Sequence, residues 1–132
     1  MQIPEEIKQD FSREPLERRN LHADPLVQFE TWFGEACDEG IPAPNAMTLA
    51  TVCSDASPTA RTVLLKIYDR NGFVFFTNYG SRKASQIKVN PEVALLFPWF
   101  SMGRQISVTG SASRISSSAS LKYFLSRSRG SQ

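Results

Sequence analysis

The hydrophobic period of this chain changes at Ala46, and that change is the strongest constraint on what it can fold into. Ahead of it, Leu26, Phe29, Trp32, Phe33 and Ala36 recur at spacings of three and four, which puts them on one face of a helix. Asp24-Pro25 supplies an N-cap acceptor followed by proline at the first helical position, where a missing N–H costs nothing, and Gly40 supplies a stop. The helix is therefore expected from Pro25 to about Glu39. Beyond the change, Met47, Leu49, Thr51 and Cys53 alternate with Thr48, Ala50, Val52 and Ser54, the period-two signature of a strand with one face turned inward.

The turn signals that follow cut the rest of the chain into short strands. Ser54 to Pro58 is a polar turn, Thr59 to Tyr68 a second strand, and Asp69-Arg70-Asn71-Gly72 a hairpin turn whose Asn-Gly pair tolerates positive φ. Phe73 to Thr77 returns as a third strand. Ser81 is placed to cap a short helix from Arg82 to about Val89, which ends at Asn90-Pro91 because proline disfavours helical geometry in the residue before it. Glu92 to Trp99 and Arg104 to Ser113 read as two further strands around Ser101-Met102-Gly103, and a last helix from about Ser117 to Ser126 is marked by Leu121, Phe124 and Leu125. The expected class is mainly β with flanking helices (α+β), a small antiparallel barrel of Greek-key type. Residues 1–23 are charged and weakly periodic, and read as an arm that is mobile or laid over another surface; residues 24–132 form the folded domain.

With 132 residues, 41% of them hydrophobic and 21% charged, one compact core is expected, and the disordered and fibrous classes are excluded. The longest apolar run, Ala94 to Trp99, falls far short of the roughly 20 residues of a membrane span, and the opening MQIPEEIKQDF does not read as a secretion signal. A cytoplasmic protein with reduced Cys37 and Cys53 is expected, with no membrane partner. Those two cysteines form no CxxC pair and His22 is the one histidine, too few ligands for a zinc cage and a poor start for a Ser-His-Asp triad.

The net charge of +2 conceals a division. Residues 1–69 hold twelve acids against six bases, whereas residues 70–132 hold nine bases against the single acid Glu92. The second half is suited to an anion, whether a nucleic acid, a phosphorylated small molecule or the acidic half of another subunit. Nucleic acid is the weakest of the three, because the bases are scattered over several elements and the aromatic residues look core-facing.

Four sets of residues can carry chemistry. Arg61 and Lys66 lie on one strand, on opposite faces unless a bulge or twist intervenes, and by composition read first as an ordinary strand with one exposed charge at each end. Gly80-Ser81-Arg82-Lys83 gathers free N–H groups, a hydroxyl and two cations at a helix entry, which suits a phosphate or a plain helix cap, and lacks Walker spacing. Gln105 can offer donors and an acceptor to a heterocycle edge, or simply meet solvent. Tyr123, Arg127 and Ser131 recur every four residues, a stripe suited to a phosphate monoester or to a solvated helix face.

The runs ADPLVQFETWFGEAC, ATVCSDASPTARTVLLKIYDRNGFVFFTNYGSRKASQIKVNPEVALLFPW and RQISVTGSASRISSSASLKYFLSRSRGSQ resemble pyridoxine (pyridoxamine) 5′-phosphate oxidases, continuously from about Leu16 to Gln132. The resemblance implies an FMN-binding split β-barrel, working as a homodimer with the flavin at the subunit interface. It implies that Arg61, Thr62, Val63, Leu64, Leu65 and Lys66 contact FMN together with Phe76. Thr77, Arg82 and Lys83 would hold its phosphate and adjoining groups, and Gln105 would face the flavin from the partner subunit. Lys66, Tyr123, Arg127 and Ser131 match positions that hold the substrate phosphate.

Three departures accompany the match. Phe76 stands where the family often has tyrosine, Lys8-Gln9-Asp10-Phe11 departs from an Arg-Arg-Glu-Tyr arm, and family members continue beyond the position of Gln132 for about half as much again, through a tryptophan and an Arg-x-His pair. The activity implied is FMN-dependent oxidation of pyridoxamine or pyridoxine 5′-phosphate to pyridoxal 5′-phosphate by O2, with no strong general base and no metal required. The alternative from a different class is a flavin-binding dimeric module without turnover.

Overall fold

In a computed structural model, residues 1–7, 15–76 and 82–115 are described. Helix α1 spans Pro25–Asp38, strands β1, β2 and β3 span Ala46–Val52, Pro58–Asp69 and Gly72–Phe75, helix α2 spans Arg82–Val89, and β4 and β5 span Glu92–Trp99 and Arg104–Ser111. The five strands form one antiparallel sheet in the order β3-β2-β1-β4-β5. Three hairpin-connected strands followed by a fourth that returns beside the first is the Greek-key arrangement. The sheet and its helices match the fold class expected from the sequence. The last helix expected from Ser117 lies outside the described residues.

The alternation read from the sequence is the alternation of burial. Met47, Leu49 and Thr51 of β1 are buried while their neighbours are half-exposed, and Val63, Leu65, Leu95, Phe97 and Trp99 extend the same inner face across β2 and β4. Helix α1 covers one end of that face with Phe29, Trp32 and Ala36. Phe29 is the centre of the contact, meeting Tyr68, Phe73 and Phe97 edge to face at centroid distances of 4.9, 5.1 and 5.2 Å. The buried indole of Trp99 satisfies its N–H on the Pro44 carbonyl at 3.1 Å. Helix α2 lies against β1 at the other end of the same face.

Two turns add detail to the expectation. In the β2–β3 hairpin, Asp69 pairs with Gly72, so the two loop residues are Arg70 and Asn71, and positive φ falls on Gly72 at 137° rather than on Asn71. Asp69 Oδ1 accepts the Asn71 N–H at 2.7 Å, a side-chain turn that holds Asn71 at negative φ. Between β4 and β5, Phe100–Met102 forms a single 3-10 turn that tucks Met102 into the core and ends on Gly103 at φ 63°. In both turns glycine takes the left-handed backbone that a side chain would strain.

The N-terminus of α1 is built as the sequence implied. Asp24 Oδ1 accepts the Leu26 N–H at 3.0 Å with Pro25 at the first position. His22 joins this entry, its Nδ1 accepting the Asp24 N–H at 2.9 Å. The Asp24 carboxylate also meets Arg70 in the β2–β3 turn, which ties the hairpin to the helix start. The Arg70 hydrogen bond, with help from the Leu26 N–H, holds the Asp24 carboxyl below its usual range. A carboxyl lowered in the folded state stabilises above its unfolded pKa, and that contribution disappears as pH falls through the folded value. Asp24→Asn is therefore expected to melt below the unsubstituted chain at neutral pH, with the gap closing as pH drops below about 4. Thermal melts of both chains across pH provide the check, and a gap constant down to about pH 2 would refute the assignment.

Candidate functional site

The strand expected to meet the cofactor is divided by its own alternation. Val63 and Leu65 point into the core, at 8% and 5% exposure, while Thr62 and Leu64 are exposed on the opposite face. Val63 and Leu65 therefore have only main-chain groups to offer a ligand. Strand β3 pairs with β2 only from Leu65 to Asp69, so no described strand pairs with the outer edge of residues 58–64. Such an edge presents main-chain donors and acceptors.

The ladder slips at Lys66. Leu65 pairs with Phe75 and Ile67 with Val74, leaving Lys66 as the extra residue of a bulge. The condition under which Arg61 and Lys66 escape strict opposition is thus met, and the bulge shifts the inward phase so that Tyr68 joins the Phe29 cluster. Asn45 holds this point on the β1 side. Its main-chain carbonyl accepts the Leu65 N–H at 2.8 Å, and its amide donates to the Leu65 carbonyl at 3.0 Å.

Arg61 takes the inward position two residues before Val63 and is half-buried. Its Nη1 donates to the Leu49 carbonyl at 3.0 Å, and its Nη2 to Thr59 Oγ1 at 2.6 Å and Gln86 Oε1 at 3.0 Å. Thr51 and Thr59 also donate to Gln86 Oε1, at 2.6 and 2.7 Å, while Gln86 Nε2 reaches Cys53 Sγ at 3.0 Å. This polar group fills the inner face beneath α2, where β1 and β2 would otherwise continue the apolar core. Among the described residues no buried side-chain nitrogen or oxygen lacks a partner, as a polar cluster in the interior requires.

Arg82 and Lys83 open α2, one turn ahead of Gln86. Gln105 is exposed near the start of β5, paired with Pro98. Two strands separate β5 from β2, and Gln105 falls on the exposed phase of β5 while Arg61 takes an inward position of β2; the sheet of one chain does not bring them together. Phe76 follows β3 and is half-buried. Thr77, Tyr123, Arg127 and Ser131, and the cap at Ser81, lie outside the described residues. Asn45, Thr51, Thr59 and Gln86 were not singled out from the sequence. The available signal was that Thr51, Thr59 and Arg61 hold inward positions in strands whose other inward residues are apolar.

Residues 33–132 match the family described as Pyridoxamine 5′-phosphate oxidase. The chain belongs to the pyridoxamine 5′-phosphate oxidase family. It is 51% identical over 126 residues to the pyridoxine/pyridoxamine 5′-phosphate oxidase of Rippkaea orientalis, and 52% identical over 126 residues to that of Aliarcobacter butzleri. Each alignment covers 96% of this chain and 59% of the relative, so the chain spans about three fifths of the length of the curated relatives it matches.

Among solved structures, PhzG from Burkholderia lata 383, in complex with tetrahydrophenazine-1-carboxylic acid, aligns with TM-score 0.78 at 25% identity, over 86% of this chain and 57% of that one. A pyridoxamine 5′-phosphate oxidase-related, FMN binding protein from Nostoc punctiforme aligns with TM-score 0.58 at 22% identity, over 75% and 54%. This second likeness is one of fold. The sheet of this pyridoxamine 5′-phosphate oxidase family member is the split-barrel sheet shared with these neighbours.

Proposed function

We propose that this chain binds FMN and carries out the FMN-dependent oxidation of pyridoxamine or pyridoxine 5′-phosphate to pyridoxal 5′-phosphate by O2. The observation that carries the reading is half-buried Arg61, its guanidinium bonded to Gln86 of α2, a helix whose first turn carries Arg82 and Lys83. An arginine bound to the helix and two cations in its first turn suit a phosphate dianion. The outer edge of β2 from Arg61 to Leu64, the bulged Lys66 and Phe76 complete the cofactor side, with Thr77 joining the phosphate ligands. When bound, FMN would accept a hydride equivalent from the substrate and pass it to O2.

The chain's own residues bind and orient. Lys66, Tyr123, Arg127 and Ser131 would hold the substrate phosphate, and fixing both phosphates fixes the approach of the two ring systems. No side chain is assigned a proton-transfer role. The separation of Gln105 from Arg61 favours a homodimer in which Gln105 of one subunit faces the flavin held by the other. We assign residues 1–23 to an arm and 24–132 to the FMN-binding domain. The free thiols of Cys37 and Cys53 suit a reducing cytoplasm. No described helix is long and apolar enough to cross a membrane.

Titration with FMN, followed by visible absorbance and then by turnover with pyridoxamine 5′-phosphate, tests the proposal. The expected result is one flavin per chain and formation of pyridoxal 5′-phosphate. Flavin binding without turnover would support the module reading, and a folded chain that binds no flavin would overturn both. Arg127→Ala is expected to weaken binding of the phosphorylated substrate about tenfold or more, the scale of one charge-assisted contact, while FMN affinity stays unchanged. An equal loss of both affinities would count against Arg127 as a substrate ligand.

A further inference from the structure

We propose that Gln86 is a positioning residue for the cofactor phosphate, fixing the Arg61 guanidinium against α2. The inference rests on the FMN reading above and adds a residue that does not itself touch the ligand.

Geometry assigns the role. Gln86 is 7% exposed, and its Oε1 accepts from Arg61, Thr51 and Thr59 at 3.0, 2.6 and 2.7 Å. An arginine has only donors, so the amide is obliged to turn its oxygen toward Arg61 and its nitrogen away, here toward Cys53 Sγ. The orientation is therefore dictated by the cluster. Helical side chains lean toward the helix N-terminus, so Gln86 carries its amide toward the end of α2 that begins with Arg82 and Lys83.

One side chain thus couples two elements that sequence separates by 25 residues. Strand β2 delivers Arg61, α2 carries Arg82 and Lys83 in its first turn, and the Gln86 oxygen joins that strand residue to that helix. Thr51 and Thr59 fasten that oxygen to β1 and β2, which removes freedom from the amide as well as from the guanidinium. A guanidinium fixed before the ligand arrives loses less side-chain entropy on binding. Glutamine also suits the task better than glutamate, because a carboxylate on Arg61 would offset the charge that attracts a phosphate.

The test compares FMN with riboflavin, which lacks the phosphate, in the full chain and in Gln86→Met and Gln86→Glu. Gln86→Met removes the acceptor at similar volume, and is expected to raise the Kd for FMN about tenfold while the Kd for riboflavin stays within about twofold. Gln86→Glu keeps the acceptor and the fold, and is expected to lose the same preference for FMN over riboflavin through charge. A parallel loss of both ligands in Gln86→Met, or no loss of either, would overturn the proposal.

Nuclear magnetic resonance of the Arg61 guanidinium without ligand supplies a second readout. Rotation of the Arg61 guanidinium is expected to be hindered in the unsubstituted chain and freed in Gln86→Met; identical signals would equally overturn the role. A folded chain that binds neither flavin would refute the FMN reading, while the Arg61 signals still report whether Gln86 clamps the guanidinium.

Discussion

Phe29→Ala is expected to destabilise the fold by about 3–5 kcal/mol, the range for removing a large buried aromatic ring. Phe29 is 3% exposed and its ring meets Phe33, Tyr68, Phe73, Phe97 and Trp99. Those partners come from α1, β2, β3 and β4, so no single element can shift to refill the space. A domain of this size holds about 5–15 kcal/mol in total, and the melting temperature is expected to fall by roughly 10–25 °C. Phe33→Ala, on the half-buried flank of the same helix, should cost clearly less. Thermal and urea melts followed by circular dichroism measure both, and a Phe29→Ala loss below about 1 kcal/mol would show that α1 does not seat on the sheet as described.

Arg61→Met is expected to have the largest effect on ligand binding. A hydrogen bond to a charged group contributes about 1.5–3 kcal/mol, so FMN affinity should fall roughly ten- to a hundredfold. The same substitution leaves the Leu49 carbonyl, Thr59 and Gln86 without their Arg61 donor, and some loss of thermal stability should accompany it. Riboflavin separates the two consequences. A phosphate ligand lost from an intact fold leaves riboflavin affinity nearly unchanged, whereas a collapsed strand edge lowers both. If FMN binds Arg61→Met as tightly as it binds the unsubstituted chain, Arg61 is an interior structural arginine, and the phosphate site must be sought among the other bases of the second half.

Much of the fold was legible because it depends on local patterns. Burial alternates along β1 as Met47, Leu49 and Thr51 alternate in sequence, and α1 begins on Asp24-Pro25 as its cap chemistry requires. The hairpin was legible in place and less so in detail. Asn-Gly marked the turn, and within that pair the positive φ falls on Gly72 alone while the Asp69 side chain accepts the Asn71 N–H. Charge segregation and the order of family motifs pointed to phosphates and a flavin without showing how any two of these residues meet.

What the sequence by itself determined was the five strands and the two described helices, the inward face of β1, the family and the list of residues available for anions. These follow from periodicity, turn chemistry and motif order, all properties of neighbours along the chain. The tertiary structure alone decided that Lys66 would bulge, that Gln105 and Arg61 would stand on distant strands, and that Gln86 would reach Arg61 from another element. Each depends on ladder register or on helix-to-sheet docking, where residues 25 or 35 positions apart share one oxygen atom. No local propensity records that distance, because the free energy is gained only when the sheet and α2 close on the same polar cluster.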